Sequence, residues 1–187
     1  TCTIAADQAG NATYTAAPQV TQNIAIGLGS QTITFGAIAD KTLIQSPVAL
    51  TATASSGLTV SYASTTLTVC TVSGSSVTLL TTGSCSITAS QGGNANYAAA
   101  TPVVQAFNVT KASQTITFGA QAGQTYSSGG SFAISPVATA SSGLAVSYSS
   151  LTTGVCTVAS TTVTIVTAGT CTIAADQAGN ATYTAAP

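Results

Sequence analysis

The sequence predicts an all-β protein built from tandem two-layered modules. Three observations carry this expectation. Apolar residues fall in short alternating runs, Gly- and Ser-rich turn signals separate the runs, and one block bounded by cysteines occurs twice. That block runs from Cys70 to Cys85 and again from Cys156 to Cys171 with identical spacing; a further cysteine, Cys2, opens the same motif a third time.

Composition narrows the function classes. Only 3 % of the 187 residues are charged, against about 25 % in an ordinary soluble domain. The acids are Asp7, Asp40 and Asp176, the cations Lys41 and Lys111, and His, Glu, Arg, Met and Trp are absent. Phosphate binding needs clustered Lys or Arg, so no nucleic-acid partner is expected. No apolar run reaches the roughly 18 residues of a membrane helix, and the strands are too short for a membrane barrel, so no membrane insertion is expected. No signal peptide is seen, as expected of an internal segment.

The order of the chain is periodic. Thr1–Pro18 is identical to Thr170–Pro187, an offset of 169 residues. Inside that interval the run Gln31-Thr-Ile-Thr-Phe-Gly-Ala returns at Gln114 after 83 residues, and Cys70 returns as Cys156 after 86. The later copy thus carries three extra residues, placed between Ala120 and Ser141. Such a pattern implies an alternating array of two related units. Residues 1–30 read as the C-terminal strands of a preceding module, 31–113 as module A, and 114–187 as module B lacking its last strand. That strand comes from the continuing chain or from a neighbour.

Within module A, strands are expected at 31–35, 49–55, 59–63, 67–73, 76–81, 85–90 and 103–109. Turn signals lie at Ser55-Ser-Gly57, Ser73-Gly-Ser75, Thr81-Thr-Gly-Ser84 and Gly92-Gly-Asn94. Seven short strands in about 83 residues match the count and spacing of an immunoglobulin-like sandwich. Alternation assigns Ile33, Phe35, Leu50, Val60, Tyr62, Val72, Val77, Leu79, Ile87 and Phe107 to the core of A. In B it assigns Ile116, Phe118, Val146, Tyr148, Val158, Val163, Ile165 and Ile173. The counterpart of the 49–55 strand meets Pro136 and is expected to begin after it.

Cys70 shares parity with Val72, and Cys85 with Ile87, so both thiols point inward. In a flat three-stranded meander the outer strands would stand about 9.5 Å apart, beyond the roughly 7 Å Cα limit of a disulfide. The chain is therefore expected to change sheets near Thr81–Ser84, with disulfides Cys70–Cys85 and Cys156–Cys171 joining the two layers. Cys2 matches the second cysteine of a pair whose partner lies upstream. Zinc is disfavoured, because each unit has one cysteine pair and no His. Disulfides place the protein outside the reducing cytosol.

Catalysis is not expected. Acid–base chemistry needs a positioned His, a carboxylate pair or a tuned Lys, and Asp7 and Asp176 are one position a period apart. Both are read as turn-forming residues beside Gly, and Lys41 and Lys111 as exposed loop and linker residues. No metal and no cofactor are expected. Asn11, Asn108 and Asn180 head glycosylation triplets, a weak signal in a Thr-rich chain.

The units resemble bacterial Ig-like repeats strung along very large surface and secreted proteins. The resemblance rests on Gln-Thr-Ile-Thr-Phe, Ala-Thr-Ala-Ser-Ser-Gly-Leu, Val-Ser-Tyr, Val-Cys-Thr-Val, Gly-Ser-Cys-Ser-Ile-Thr-Ala and Gly-Asn-Ala-Asn-Tyr, and covers the whole chain. It implies a non-catalytic spacer in an extracellular fibre or adhesin stalk at the cell surface. The lack of charge adds an expectation of packing against copies of itself. The short linkers 27–30 and 111–113 are expected to restrict bending, with Gly27 and Gly29 loosening the first. The alternative is an adhesin module that grips surface glycans through Tyr14, Tyr97 and Tyr183, each 12 residues after a cysteine. A packing role at a joint between modules explains the same recurrence.

Overall fold

The computed structural model describes residues 1–186, and it is all-β apart from one 3-10 turn, Leu43–Gln45. Two strands precede the first repeat: β1 (Cys2–Gln8) and β2 (Ala17–Ile24). The first repeat then forms β3 (Ile33–Thr34), β4 (Lys41–Thr42), β5 (Val48–Ala49), β6 (Thr53–Ala54), β7 (Ser61–Ser64), β8 (Cys70–Ser73), β9 (Ser76–Leu79), β10 (Gly83–Ser90) and β11 (Val103–Thr110). The second forms β12 (Ile116–Thr117), β13 (Ser131–Ala133), β14 (Thr139–Ala140), β15 (Ser147–Ser150), β16 (Cys156–Ala159), β17 (Thr162–Ile165) and β18 (Ile173–Asp176).

Pairing follows the repeat. The first carries a pair β3-β6, a three-stranded sheet β5-β9-β8 and a four-stranded sheet β4-β11-β10-β7. The second carries β12-β14, β13-β17-β16 and β15-β18. The β8–β9 hairpin pairs Cys70 with Leu79 and Val72 with Val77, and β16–β17 repeats this as Cys156 with Ile165 and Val158 with Val163. Gly74, at φ +58°, supplies the left-handed conformation that the tight β8–β9 turn requires. Between β9 and β10 the chain leaves the three-stranded sheet for the four-stranded one.

By compactness the chain forms two units. One comprises Thr1–Gly36, Thr51–Tyr62 and Thr88–Val104; the other comprises Ala37–Leu50, Ala63–Ile87 and 105–187. In the first unit Phe35 and Tyr62 meet with ring centroids 5.8 Å apart, and the Tyr62 hydroxyl accepts from the Ala52 N–H. In the second, Val77, Cys70, Cys85, Ile87 and Val109 are almost wholly buried. There too, Ile134, Cys156 and Val163 gather Phe118, Phe132, Tyr148, Val158, Cys171 and Ile173 around them. None of the core positions assigned from alternation is exposed.

Three expectations need correction. The stretch 49–55 is not one strand: β5 joins β9 in one sheet, whereas β6 joins β3 in another. In the second repeat the strand on β17 does not wait for Pro136. β13 pairs Phe132 with Val163 before the cis Ser135–Pro136 bond, and β14 follows it. Proline there separates two strands, because it cannot donate to either ladder. Lys41 is not a loop residue: β4 runs parallel to β11, with Lys41 beside Val109.

The core makes a direct prediction. Ile87→Ala empties a wholly buried site and is expected to cost about 2–5 kcal/mol in denaturant-induced unfolding. Ile173→Ala, at the half-buried equivalent position, is expected to cost clearly less.

Candidate functional site

Two constructions recur in both repeats: a covalent bolt between sheets and a polar dock where each repeat begins. The bolt is Cys70–Cys85, with Cα atoms 5.8 Å apart, and Cys156–Cys171, at 5.6 Å. Cys70 belongs to β8 and Cys85 to β10, so the bond joins the three-stranded sheet to the four-stranded one. Each first cysteine begins its strand straight after a tight turn, in which the Cys70 N–H donates to the Thr66 carbonyl and the Cys156 N–H to the Thr152 carbonyl. Hydroxyls line the sulfurs, with Ser64 Oγ 3.3 Å from Cys70 Sγ and Ser150 Oγ 3.4 Å from Cys156 Sγ. Cys2 carries a free, exposed thiol.

The dock starts from a loop with the pattern Gln-x-Gly-Asn-x-x-Tyr. Asn94 Oδ1 accepts from the N–H groups of Asn96 and Tyr97 at 2.8 and 2.9 Å, which closes the loop on itself. Asn180 does the same for Thr182 and Tyr183, and Asn11 for Thr13 and Tyr14. The preceding glycine is obligatory. Gly93 sits at φ +78°, and a Cβ there would lie 2.3 Å from the Tyr97 carbonyl oxygen. Asp7 and Asp176, expected to form these turns, instead lie on β1 and β18; the Gln and Asn side chains make the turn.

The segment entering each repeat lies against this loop as a parallel bridge. Gly29 N–H donates to the Asn96 carbonyl at 2.8 Å, and its own carbonyl accepts from Ala98 N–H at 2.9 Å. Ala112 repeats both bonds with Thr182 and Thr184, each at 2.9 Å. Gly29, expected to loosen the joint, is thus held on both sides.

Two residues on, a buried glutamine locks the segment. Gln31 Nε2 donates to Gln91 Oε1 and to the Ala98 carbonyl, both at 2.7 Å, and Gln31 Oε1 accepts from the Ser56 hydroxyl. Gln114 rebuilds the same hub with Gln177 Oε1 and the Thr184 carbonyl, both at 2.6 Å, and with the Ser142 hydroxyl. These two are the buried polar side chains among the described residues. Burying an amide is tolerable only when its donors and acceptors are matched, and here they are. The opening Gln was legible as a motif, but its burial was not, since propensity places Gln outside.

The remaining candidates are placed as follows. Tyr97 and Tyr183 are half-buried in the dock, whereas Tyr14 is 72 % exposed. Asn11 and Asn180 hold loops, as above. Asn108 is tied to Asp40: its backbone N–H donates to Oδ1 at 2.7 Å and its Nδ2 to Oδ2 at 3.3 Å. These bonds, the backbone one foremost, hold the Asp40 carboxyl below its ordinary value. No helix is long and apolar enough to cross a membrane.

Two outcomes are expected. Gln114→Leu strips the hub of its donors and strands the Gln177 and Thr184 oxygens. It should cost about 1–3 kcal/mol per group left unpaired, read as a drop in thermal midpoint. Because folding lowers the Asp40 pKa, its contribution is present above the usual carboxylate range and is lost as pH falls through the depressed value. Asp40→Asn is therefore expected to flatten the dependence of the thermal midpoint on pH below about pH 5. No protein-family model matches this chain, and no curated protein matches it.

Proposed function

We propose that the chain is a structural segment of a long extracellular fibre or adhesin stalk of bacterial type, made of tandem immunoglobulin-like sandwiches and without catalytic activity. The observation that carries the reading is repetition of the joint itself. The same Gln hub, the same Asn-closed loop and the same parallel bridge occur at Gly29–Gln31 and at Ala112–Gln114. An array transmits force through its joints, so uniform joints are what a stalk requires. A disulfide in each repeat adds resistance to unfolding, about 3 kcal/mol for a closed loop of this length on the chain-entropy model.

Two further features support it. Disulfides are compatible with an oxidising, extracellular setting. With two Lys and no Arg, the chain offers trypsin-like proteases few sites. Its Ser- and Thr-rich strand faces carry almost no charge to keep neighbours apart, which favours self-association. Binding of surface glycans through the recurrent Tyr is the weaker reading, because Tyr97 and Tyr183 are engaged at the dock.

Mass spectrometry of unreduced protein, combined with trypsin and elastase digestion before and after reduction, tests the proposal. Bonded Cys70–Cys85 and Cys156–Cys171, with digestion slow until the reductant is added, is the expected result. Free thiols in the native material, or a glycan array showing saturable binding lost in Tyr14→Ala, would overturn it.

A further inference from the structure

The chain contains both halves of an unfilled fit. One half is the groove left in the second repeat. In the first repeat β11 lies along β10 and buries Phe107 and Val109. Its place beside β18 is empty among the described residues, where β18 pairs with β15 alone. Burial tracks that difference position by position. Phe35, Leu79, Cys85 and Ile87 are buried, whereas their counterparts Phe118, Ile165, Cys171 and Ile173 are only half-buried. Core residues elsewhere in the repeat do not differ: Cys70 and Cys156, Val77 and Val163, and Leu50 and Ile134 are buried alike. A cavity of about 440 Å³ opens there, lined by Phe118, Phe132, Cys156, Ile165, Cys171 and Ile173 among others.

The other half is β2. Aligned from Cys2 on Cys85 and from Gln31 on Gln114, Ile24 stands where the first repeat has Phe107, and Ile26 where it has Val109. Both are exposed, Ile24 at 48 % and Ile26 at 75 %. The partner that β2 now holds, β1, has the sequence of the empty edge, because Thr1–Pro18 and Thr170–Pro187 are identical. The hairpin therefore fixes the register of the fit: Cys2 faces Ile24, Thr3 faces Asn23 and Ile4 faces Gln22.

We propose that a second copy of this chain completes the groove by strand exchange. Strand β2 leaves its own β1 and adds antiparallel to β18 of another copy, with Ile24 opposite Cys171 and Ile26 entering the same cavity. The backbone ladder lost and the ladder gained run along the same sequence, so hydrogen bonding is balanced. Burial of apolar side chains decides the direction. Donor and acceptor lie at different places on the chain, so the contact is heterologous and head-to-tail and builds linear oligomers. The inference rests on the tandem-module reading above.

Sedimentation velocity and light scattering of the 187-residue chain, in a Cys2→Ser background that prevents thiol cross-linking, provide the test. Mass is expected to rise with concentration and to stay monomeric in Ile24→Asp/Ile26→Asp. Those substitutions lie at exposed sites, so an unchanged circular dichroism spectrum is expected. The double variant keeps its groove and should bind a labelled peptide of residues 17–30. The same peptide with Ile24→Asp should bind about tenfold more weakly or worse. Oligomers that persist in the double variant, or a peptide that does not bind, overturn the proposal. A failure here with both disulfides intact and digestion still slow would leave the stalk reading standing.

Discussion

The constraint on which the rest depends is scarcity of apolar bulk. The strands are short, many inward positions carry only Ala, and wholly buried side chains are as small as Val and Cys. A core of that kind gives a small module little margin over the entropy of ordering its chain. Two devices make up the difference. The disulfide ties β8 to β10 across the sheets, and the glutamine hub ties the entering segment to the loop that ends in Tyr. Both act between stretches far apart in sequence, where loop closure is most costly.

Much of this was legible in the residues, and the failures have identifiable causes. Alternation found inward positions such as Val77, Ile87 and Val163 because Thr and Ser mark the opposite face without ambiguity. Inward parity and strand spacing also made a change of sheet necessary after β9. The stretch 49–55 misled because it alternates without interruption; β5 and β6 divide it between two sheets, and nothing in residue type marks the break. Pro136 misled differently: its counterpart Pro47 precedes β5, whereas Pro136 follows β13, so the same residue punctuates opposite ends of equivalent strands.

The dock was half legible. The recurrence of Gln, Gly, Asn and Tyr at fixed offsets was plain, and a packing role for the Tyr was one of two readings. The Asp in the same motif attracted attention as a turn former, yet the turn is closed by Asn, whose amide oxygen can accept from two successive N–H groups. The reach of Gln31 to residues 60 and 67 positions away has no local signature. It follows from the fold bringing an early strand against a late loop.

The hub has one more consequence. Every contact in it is between neutral amides, hydroxyls and peptide groups, with no ion pair and no metal. Dissolved ions screen charges, and acid or alkali titrates them, but neither acts on a carboxamide. A joint built this way keeps its grip in brine and in fresh water alike.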